Sequence, residues 1–357
     1  MFDTIRWEDD AVVLIDQRVL PTREEYVRCR DAAAVAGAIR DMVVRGAPAI
    51  GVTAAMGIAL GLKQSRAADA RALRADMESF AALLAATRPT AVNLFWAIDR
   101  MKRRFEELLP EGVEATRIGM EKEARSIHCE DIEMNRRMGA HGEKLLKDGA
   151  RILTHCNAGA LAAVDYGTVM APLRVAKDAG RRFFVYVSET RPRFQGSRLT
   201  AWELAQEGIE HAIIADGASG HFLSRGEVDL VLVGADRIAA NGDTANKIGT
   251  YEKAVVAKEN GVPFYVAAPT STFDLSLASG AKIPIEERSP QEILHLEGRP
   301  TAPKESPARN PAFDVTPARY IMGFVTDAGI LRPSQLRALG TTAARRRTSA
   351  TKARKKR

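Results

Sequence analysis

From residue 151 onward the chain alternates short apolar runs with longer segments of helical periodicity, and this alternation constrains the fold most. The runs are apolar on both faces and bounded by Gly, Asp, Asn or Ser, and they cover residues 151–155, 183–187, 211–215, 229–233 and 263–267. Strands that are buried on both faces and separated by helices are typical of a parallel sheet covered by helices. The pattern therefore predicts an α/β fold for this part of the chain.

The preceding residues have a different, mainly helical periodicity. A short strand pair is expected within residues 7–19, followed by helices over 32–44, from Pro48 onward, and over 67–86, 92–109 and 114–147. Pro48 suits the first turn of a helix, where the amide has no partner within the helix. We predict a smaller, mainly helical N-terminal domain over residues 1–147 and a catalytic domain with the parallel sheet over 148–340.

The net charge of +7 comes from the last 17 residues. Residues 341–357 hold eight of the 52 Lys and Arg residues and none of the 45 Asp and Glu residues, so the rest of the chain has a net charge of −1. This segment has no large apolar residue, and such a composition predicts a disordered basic tail. A solvated tail is favoured over an arm that binds nucleic acid.

Composition excludes several other classes of protein. With 46% hydrophobic and 27% charged residues the chain is neither intrinsically disordered nor fibrous. Its three cysteines are too few for a disulfide framework, and no apolar run approaches the roughly 20 residues that span a bilayer. The N-terminus is acidic where a signal peptide would be basic. We therefore expect a soluble, cytoplasmic protein.

Candidate catalytic residues follow the predicted strands, at the sheet edge where such folds bind ligands. Cys156 follows the first strand, between a histidine and a glycine-rich turn into a predicted helix whose N-terminus would favour the thiolate. Cys29 and Cys129 lack this setting and are interpreted as structural. Asp236 follows the fourth strand, where partial burial would raise its pKa and suit it to donate a proton. Asp216 occupies a similar position and is the competing candidate.

Two segments are suited to binding an anion. Arg45, Gly46 and Ala47 precede Pro48 at a predicted helix start, where free amides and the helix dipole attract phosphate. Asn246 and Lys247 stand in the same way before the helix predicted over residues 250–260, and Arg88 is a third candidate cation. Neither segment matches a dinucleotide or ATP motif, so the phosphate of a small metabolite is the expected ligand. The six histidines lack metal-ligand spacing, so no metal or other cofactor is expected.

Several of these residues lie in motifs that resemble the methylthioribose-1-phosphate isomerases. The motifs are RGAPAIG at 45–51, TRPTAVNL at 87–94, THCNAG at 154–159, ETRP at 189–192, QGSRLTAWEL at 195–204 and the run over 234–251. The resemblance extends over residues 7–333. Regulatory subunits of a eukaryotic translation-initiation nucleotide-exchange factor share the fold, but we do not expect them to keep both Cys156 and the run that begins at Gly234.

The resemblance implies an aldose–ketose isomerase of methionine salvage that converts 5-methylthioribose 1-phosphate to 5-methylthioribulose 1-phosphate. It implies Asp236 as proton donor and Cys156 as the group that stabilises the transition state. The implied substrate contacts are Arg45, Gly46, Ala47, Arg88, Gln195, Asn246 and Lys247. It also implies a Rossmann-like C-terminal domain and a homodimer.

The reaction leaves alternatives open. Cys156 as thiolate could take the C2 proton, or as a thiol it could stabilise a direct hydride shift. The chain differs from the commonest family pattern at residues 163–168 and 216–222, so 5-deoxyribose 1-phosphate is an alternative substrate. The alternative to an enzyme is a non-catalytic regulatory subunit that senses a sugar phosphate or nucleotide.

Overall fold

The computed structural model describes residues 2–88 and 91–336. Its first part is mainly helical, as the periodicity predicts. Three short strands pair in antiparallel fashion and precede the helices. The elements are β1 (Ile5–Glu8), β2 (Ala11–Ile15), β3 (Tyr26–Cys29), α1 (Ala32–Arg40), α2 (Ala47–Gln64), α3 (Ala70–Ala85), α4 (Val92–Leu108) and α5 (Val113–Gly142).

Helix α2 lies at the centre of this part and is buried on nearly every face. A helix that is apolar all round is stable only inside a core. Small residues let its neighbours approach closely: a Cβ on Gly51 would lie 2.8 Å from the backbone oxygen of Asn93 at the start of α4. The burial of α2 fixes the position of its N-terminus, which lies beside the candidate site.

The second part alternates strands and helices. Its elements are β4 (Ala150–His155), α6 (Met170–Asp178), β5 (Phe183–Ser188), α7 (Ala201–Gln206), β6 (His211–Ile214), α8 (Ser219–Ser224), β7 (Leu230–Val233), β8 (Arg237–Ala239), β9 (Thr244–Lys247), α9 (Thr250–Glu259), β10 (Phe264–Ala267), β11 (Phe273–Asp274), α10 (Gln291–Leu294), β12 (His295–Leu296), β13 (Arg299–Pro300), β14 (Phe313–Thr316), β15 (Gly323–Thr326) and β16 (Gly329–Leu331).

Seven of the described strands form one sheet in the order β16-β15-β10-β7-β4-β5-β6. All neighbours are parallel except β15 and β16. The prediction of an α/β fold with a parallel sheet is confirmed, and the five predicted strands agree with β4, β5, β6, β7 and β10 to within a residue at each end. Strand β6 was expected to be buried on both faces, but it lies at the edge of the sheet, and Ile213 is therefore half exposed.

A smaller sheet, with the order β11-β8-β9-β14, stands beside the large one. Strands β8 and β9 form an antiparallel hairpin directly after β7, where the sequence predicts only polar loops. The prediction was wrong because three- and four-residue strands are too short to show a period. The hairpin brings residues 246 and 247 back beside Asp236.

Three predicted element boundaries in the first part were also wrong. The first predicted helix stops at Arg40 instead of residue 44, because Met42 adopts a left-handed backbone conformation that no helix can continue. The last helix stops at Gly142, and one 3₁₀ turn follows over Glu143–Leu145. The strand pair is a three-stranded sheet, since β3 pairs with β2 from beyond the predicted range.

Helix α5 connects the two parts, because Ile127 packs in the helical core whereas Met138 packs beneath the large sheet. The predicted boundary at residues 147 and 148 lies between α5 and β4, and the division into domains stays a prediction. The tail predicted over residues 341–357 lies outside the described residues. Within residues 2–88 and 91–336, no helix is long and apolar enough to cross a membrane.

Candidate active site

One cavity lies at the carboxyl ends of β4 and β7 and extends to the start of α2. All nine residues that the sequence and the resemblance single out line this cavity, although they come from widely separated parts of the chain. They are Arg45, Gly46, Ala47, Arg88, Cys156, Gln195, Asp236, Asn246 and Lys247.

Cys156 directly follows β4 and has a left-handed backbone, with φ of 66°. Two hydroxyls hold this conformation: its N–H donates to Thr190 Oγ1 at 2.8 Å, and its carbonyl accepts from Thr200 Oγ1 at 2.6 Å. Left-handed residues other than glycine persist only where their surroundings impose them, and they cluster at functional sites. The thiol is therefore held in a defined position at the cavity wall.

The predicted helix N-terminus after Cys156 is wrong. The chain makes one 3₁₀ turn over Ala160–Ala162, and α6 begins only at Met170, so the helix that follows β4 does not begin beside the sulfur. Burial raises the pKa of the Cys156 thiol, while the nearby charges of Arg45 and Lys247 oppose this shift. The direction of this shift favours the protonated thiol at neutral pH.

Asp236 lies past the end of β7, and its N–H donates to the carbonyl of Ala245 at 2.9 Å across the β8–β9 hairpin. Burial raises the pKa of the Asp236 carboxyl, against the attraction of Lys247, Arg88 and Arg45. A buried carboxyl near cations is suited to donating a proton and then carrying the resulting charge.

Asp216, the competing candidate, has a different task. Its carboxylate accepts hydrogen bonds from Ser188 Oγ at 2.5 Å and from the N–H groups of Thr190 and Arg191 at 2.8 and 2.7 Å. Although burial raises its pKa, these donors hold the pKa of Asp216 below its usual value. Asp216 shapes the loop after β5 and is not among the residues that line the cavity.

Arg45 and Gly46 form the entry into α2. Gly46 has φ of 95°, and a Cβ there would lie 2.5 Å from the Cα and the oxygen of Ala162, so only glycine fits. The Arg45 guanidinium donates through Nη2 to Asn157 Oδ1 and through Nε to Gln17 Oε1 at 3.2 Å. Pro48 occupies the first turn of α2, as predicted.

The second predicted anion site is only partly as expected. Asn246 and Lys247 line the cavity, but the start of α9 behind them is already capped. Asp314 accepts from the N–H groups of Gly249 and Tyr251 at 2.6 and 3.0 Å. The α9 dipole is therefore satisfied by a side chain, and the Lys247 ammonium, which donates to the Ala312 carbonyl at 2.9 Å, supplies the charge at this wall.

Arg88 and Gln195 complete the predicted set. Arg88 Nη2 lies 3.6 Å from Glu286 Oε2, so its charge is partly balanced. Pro89, which the sequence suggests holds Arg88 in place, is outside the described residues. Gln195 is buried just before a π-helical turn over Gly196–Thr200, and its side-chain oxygen has no hydrogen-bond partner in the described part of the chain. That oxygen is an acceptor left unsatisfied at the cavity wall.

Several cavity residues were missed by sequence reasoning. Arg288, Glu292 and Asn310 come from the stretch between β11 and β14, which has only very short elements and no periodicity to indicate its position. Burial raises the pKa of Glu292, but hydrogen bonds from Arg288 and Arg193 outweigh it and bring the pKa to about 2. Asn157 and Arg193 lie in or beside motifs already quoted, so proximity to those motifs was the available signal.

His155 is buried behind Cys156. Its Nε2 lies 2.8 Å from the carbonyl of Ile248, and Nδ1 lies 3.4 Å from Thr190 Oγ1. Burial and the charge of Lys253 lower the pKa of His155, so the ring stays neutral and acts as a positioning group. Among the described residues no cluster of three or more His, Cys, Asp or Glu side chains could hold a metal ion.

The cavity combines a buried carboxyl, a buried thiol and several cations. Such a set can protonate an oxygen of a bound anionic molecule and shield it from water while hydrogen moves between neighbouring carbons. Electrostatic interactions in such a partly enclosed cavity are stronger than in bulk water.

Comparisons with known proteins agree on one family. Residues 43–333 match the model of the initiation factor 2 subunit family. A methylthioribose-1-phosphate isomerase of Trichlorobacter lovleyi is 53% identical over 343 residues, which cover 96% of this chain and 99% of the relative. One from Chloroflexus aurantiacus is 54% identical over 336 residues, which cover 94% and 97%.

Solved structures give the same result. A crystal structure of 5-methylthioribose 1-phosphate isomerase from Pyrococcus horikoshii matches with a TM-score of 0.90 at 45% identity, covering 96% of this chain and 95% of that one. A structure described as translation initiation factor eIF-2B, subunit delta, from A. fulgidus matches with a TM-score of 0.84 at 43% identity, covering 94% and 97%.

Proposed function

Because the chain belongs to the initiation factor 2 subunit family and, within it, to the methylthioribose-1-phosphate isomerases, we propose a chemical role for each group in its cavity. The reaction converts 5-methylthioribose 1-phosphate to 5-methylthioribulose 1-phosphate in methionine salvage. The observation that carries the proposed roles is that Cys156 and Asp236, from the ends of two neighbouring parallel strands, line one cavity with several cations, among them Arg45, Arg88 and Lys247.

Asp236 opens the sugar ring. A sugar phosphorylated at C1 is locked as an acetal, so an acid must protonate the ring oxygen before the bond between C1 and that oxygen breaks. The raised pKa of the buried Asp236 carboxyl supports this role, and Lys247, Arg88 and Arg45 stabilise the carboxylate that remains. The ring oxygen becomes the C4 hydroxyl, and C1 carries the positive charge.

Hydrogen then moves from C2 to C1 with its electron pair. C1 becomes a methylene that still bears the phosphate, C2 becomes the ketone, and the proton of the C2 hydroxyl returns to Asp236. The raised pKa of the Cys156 thiol supports this hydride shift over abstraction of the C2 proton, because a protonated thiol is not a base. Cys156 contributes a polarisable, uncharged wall beside the migrating hydrogen.

The cations hold the phosphate. Arg45 and Lys247 both line the cavity beside the start of α2, where the amides of Gly46 and Ala47 add the positive end of a helix dipole. Arg88 lines the same cavity. The unpaired oxygen of Gln195 and the amide of Asn246 are suited to the sugar hydroxyls.

Turnover of 5-methylthioribose 1-phosphate in D₂O tests these roles. Product without deuterium at C1 supports the hydride shift. Full incorporation of deuterium at C1 would instead show that the Cys156 thiolate removes the C2 proton. A chain that binds the substrate but does not convert it would overturn the enzymatic function in favour of a sensing subunit. Parallel assays with 5-deoxyribose 1-phosphate decide which C5 group the cavity prefers.

Three further features are proposed with this function. The large sheet and its helices form a Rossmann-like catalytic domain from about residue 148, which the parallel order of β10, β7, β4, β5 and β6 supports. The protein works as a homodimer, for which the exposed apolar edge at Ile213 is a candidate contact, and light scattering would measure it. A cytoplasmic location agrees with free thiols at Cys29, Cys129 and Cys156.

A further inference from the structure

The carboxylate of Glu203 is fully buried on α7, directly beneath the loop that follows β4. It accepts hydrogen bonds from Asn157 Nδ2 at 2.7 Å and from the N–H groups of Ala160 and Leu161 at 2.7 and 3.3 Å. The loop fits closely around it, since a Cβ on Gly159 would lie 2.2 Å from a carboxylate oxygen. A buried carboxylate is tolerated only when donors surround it, and here the donors all belong to the cavity loop.

Glu203 decides which end of the Asn157 amide faces the cavity. The Nδ2 group donates to Glu203 and, at 3.1 Å, to Thr200 Oγ1, so Oδ1 must face away from both. In that orientation Oδ1 accepts from Arg45 Nη2. The opposite orientation would bring the amide donors of Asn157 against the guanidinium, which has only donors.

A second contact fixes the other side of the same guanidinium. Gln17 Oε1 accepts from Arg45 Nε at 3.2 Å, while Gln17 Nε2 donates to the carbonyl of Leu161 at 2.7 Å. The N–H of this same Leu161 is one of the donors to Glu203. Both side-chain acceptors of Arg45 are thus oriented through one short stretch of backbone, which Glu203 anchors, and the Asn157 carbonyl in that stretch also accepts from Arg45 Nη2 at 3.3 Å.

We propose that Glu203 is a positioning residue for substrate binding, which acts through Asn157 to hold the Arg45 guanidinium where it meets the phosphate of the substrate. This rests on the role of Arg45 in the proposed function. Glu203 does not line the cavity and does not touch the reacting atoms. Its loss should weaken the grip on the anion and leave the chemistry at Asp236 and Cys156 in place.

Glu203→Gln tests this, because Gln has nearly the same shape but cannot accept from all three donors. We expect the KM for 5-methylthioribose 1-phosphate to rise about tenfold or more, with kcat within about threefold of the wild type, as for loss of an orienting hydrogen bond to a charged group. The matched control is Glu207→Gln, just after α7. The Glu207 carboxylate lies 2.8 Å from Arg174 Nη2 and does not line the cavity. The control should keep the wild-type KM.

A double-mutant cycle separates positioning from a merely structural role. In an Arg45→Lys background there is no guanidinium to orient, so adding Glu203→Gln should change KM by less than about twofold. Additive losses in the double variant would overturn the proposal, as would a fall in kcat with unchanged KM. If Glu203→Gln does not fold, Asn157→Ala interrupts the same chain of contacts, and its rise in KM should likewise disappear in the Arg45→Lys background.

Direct binding of inorganic phosphate distinguishes this proposal from the proposed function. Calorimetry should show phosphate bound at least about tenfold more weakly by Glu203→Gln than by the wild type and by Glu207→Gln. Equal binding by all three, or none by the wild type, overturns the positioning role. A wild type that binds phosphate but does not convert the sugar phosphate overturns the proposed function and leaves the comparison of variants valid.

Discussion

The N–H of Cys156 donates to the hydroxyl of Thr190 at 2.8 Å, and both residues have left-handed backbones, with φ of 66° and 68°. Such a conformation is unfavourable for any residue except glycine, and most of all for a β-branched one. Thr190 is in turn tied to Asp216 through its own N–H. The strand ends of β4 and β5 therefore hold each other in unusual conformations, which orient the thiol toward the cavity.

Asp236→Asn should abolish ring opening and leave the fold intact. An amide cannot donate the proton that the ring oxygen needs, and removal of a general acid costs about a hundredfold or more in kcat. Steady-state kinetics with circular dichroism would measure this. The control is Asp229→Asn, just before β7 at its other end, where the carboxylate binds Arg151 and should not affect turnover. Near-wild-type activity in Asp236→Asn would refute the acid assignment.

The three cysteines should react with iodoacetamide at very different rates. Cys129 is exposed and should react first, without loss of activity. Burial raises the pKa of Cys29 to about 11 and also raises that of Cys156, so both should react slowly at neutral pH.

The reactivity of Cys156 is best measured in a Cys129→Ser background. Inactivation should be slow at pH 7, accelerate as the pH rises above 9, and slow again when substrate fills the cavity. Intact-mass measurements would count the modified thiols. Rapid loss of activity at pH 7 would indicate a thiolate and would contradict the hydride-shift role.

Gly46→Ala should inactivate the enzyme and strongly destabilise it. The added methyl group would lie 2.5 Å from backbone atoms of Ala162, which cannot move aside as a flexible side chain would. Gly112→Ala is the matched control, because Gly112 has a similar φ of 105° but open space around it. The control should lose about 1 kcal/mol of stability and keep its activity. Urea denaturation and turnover would measure both effects, and equal losses in the two variants would contradict the steric argument.

The ionisation of Asp131 should lower the free energy of unfolding as the pH rises from about 4 to about 7. Burial raises its pKa from 3.8 to about 7, so over this window the folded chain holds a proton that the unfolded chain has lost. At pH 8 the ionisation of Asp131 therefore reduces the free energy of unfolding by up to about 4 kcal/mol. Asp131→Asn should reduce this dependence by the share that Asp131 contributes, beside smaller shares from other buried acids such as Asp314, whose pKa burial raises to about 6, whereas Glu133→Gln on the same helix should leave the dependence unchanged. Urea denaturation at pH 5 and pH 8 would test it, and parallel losses in Asp131→Asn and the wild type would contradict it.

The sequence predicts the large sheet well because its strands are buried on both faces. Continuous apolar runs such as the one at β7 leave a strong signal, and the helices between them follow from periodicity. The β8–β9 hairpin was missed because strands of three and four residues are too short to show a period. The irregular stretch that supplies Arg288 and Asn310 has positions set by ion pairs and tertiary contacts, which are not visible in a local pattern.

For the site, the sequence identifies residues better than their electrostatics. Cys156 and Asp236 follow two strands of a parallel sheet, and parallel strands place their carboxyl ends at one edge. That both residues line one cavity was therefore predictable. The state of the thiol was not, since it depends on the 3₁₀ turn after it and on burial. Likewise, Asp314 caps α9 from a strand paired with β9, a relationship that no local pattern around Asn246 could show.

The hairpin of β8 and β9 places the proposed proton donor and a nearby cation on one hydrogen-bonded unit. Asp236 enters the hairpin and Lys247 leaves it, and a backbone hydrogen bond to Ala245 ties the two ends together. Because both side chains belong to one hydrogen-bonded hairpin, a displacement of that hairpin should carry the Asp236 carboxyl and the Lys247 ammonium together and preserve their spacing.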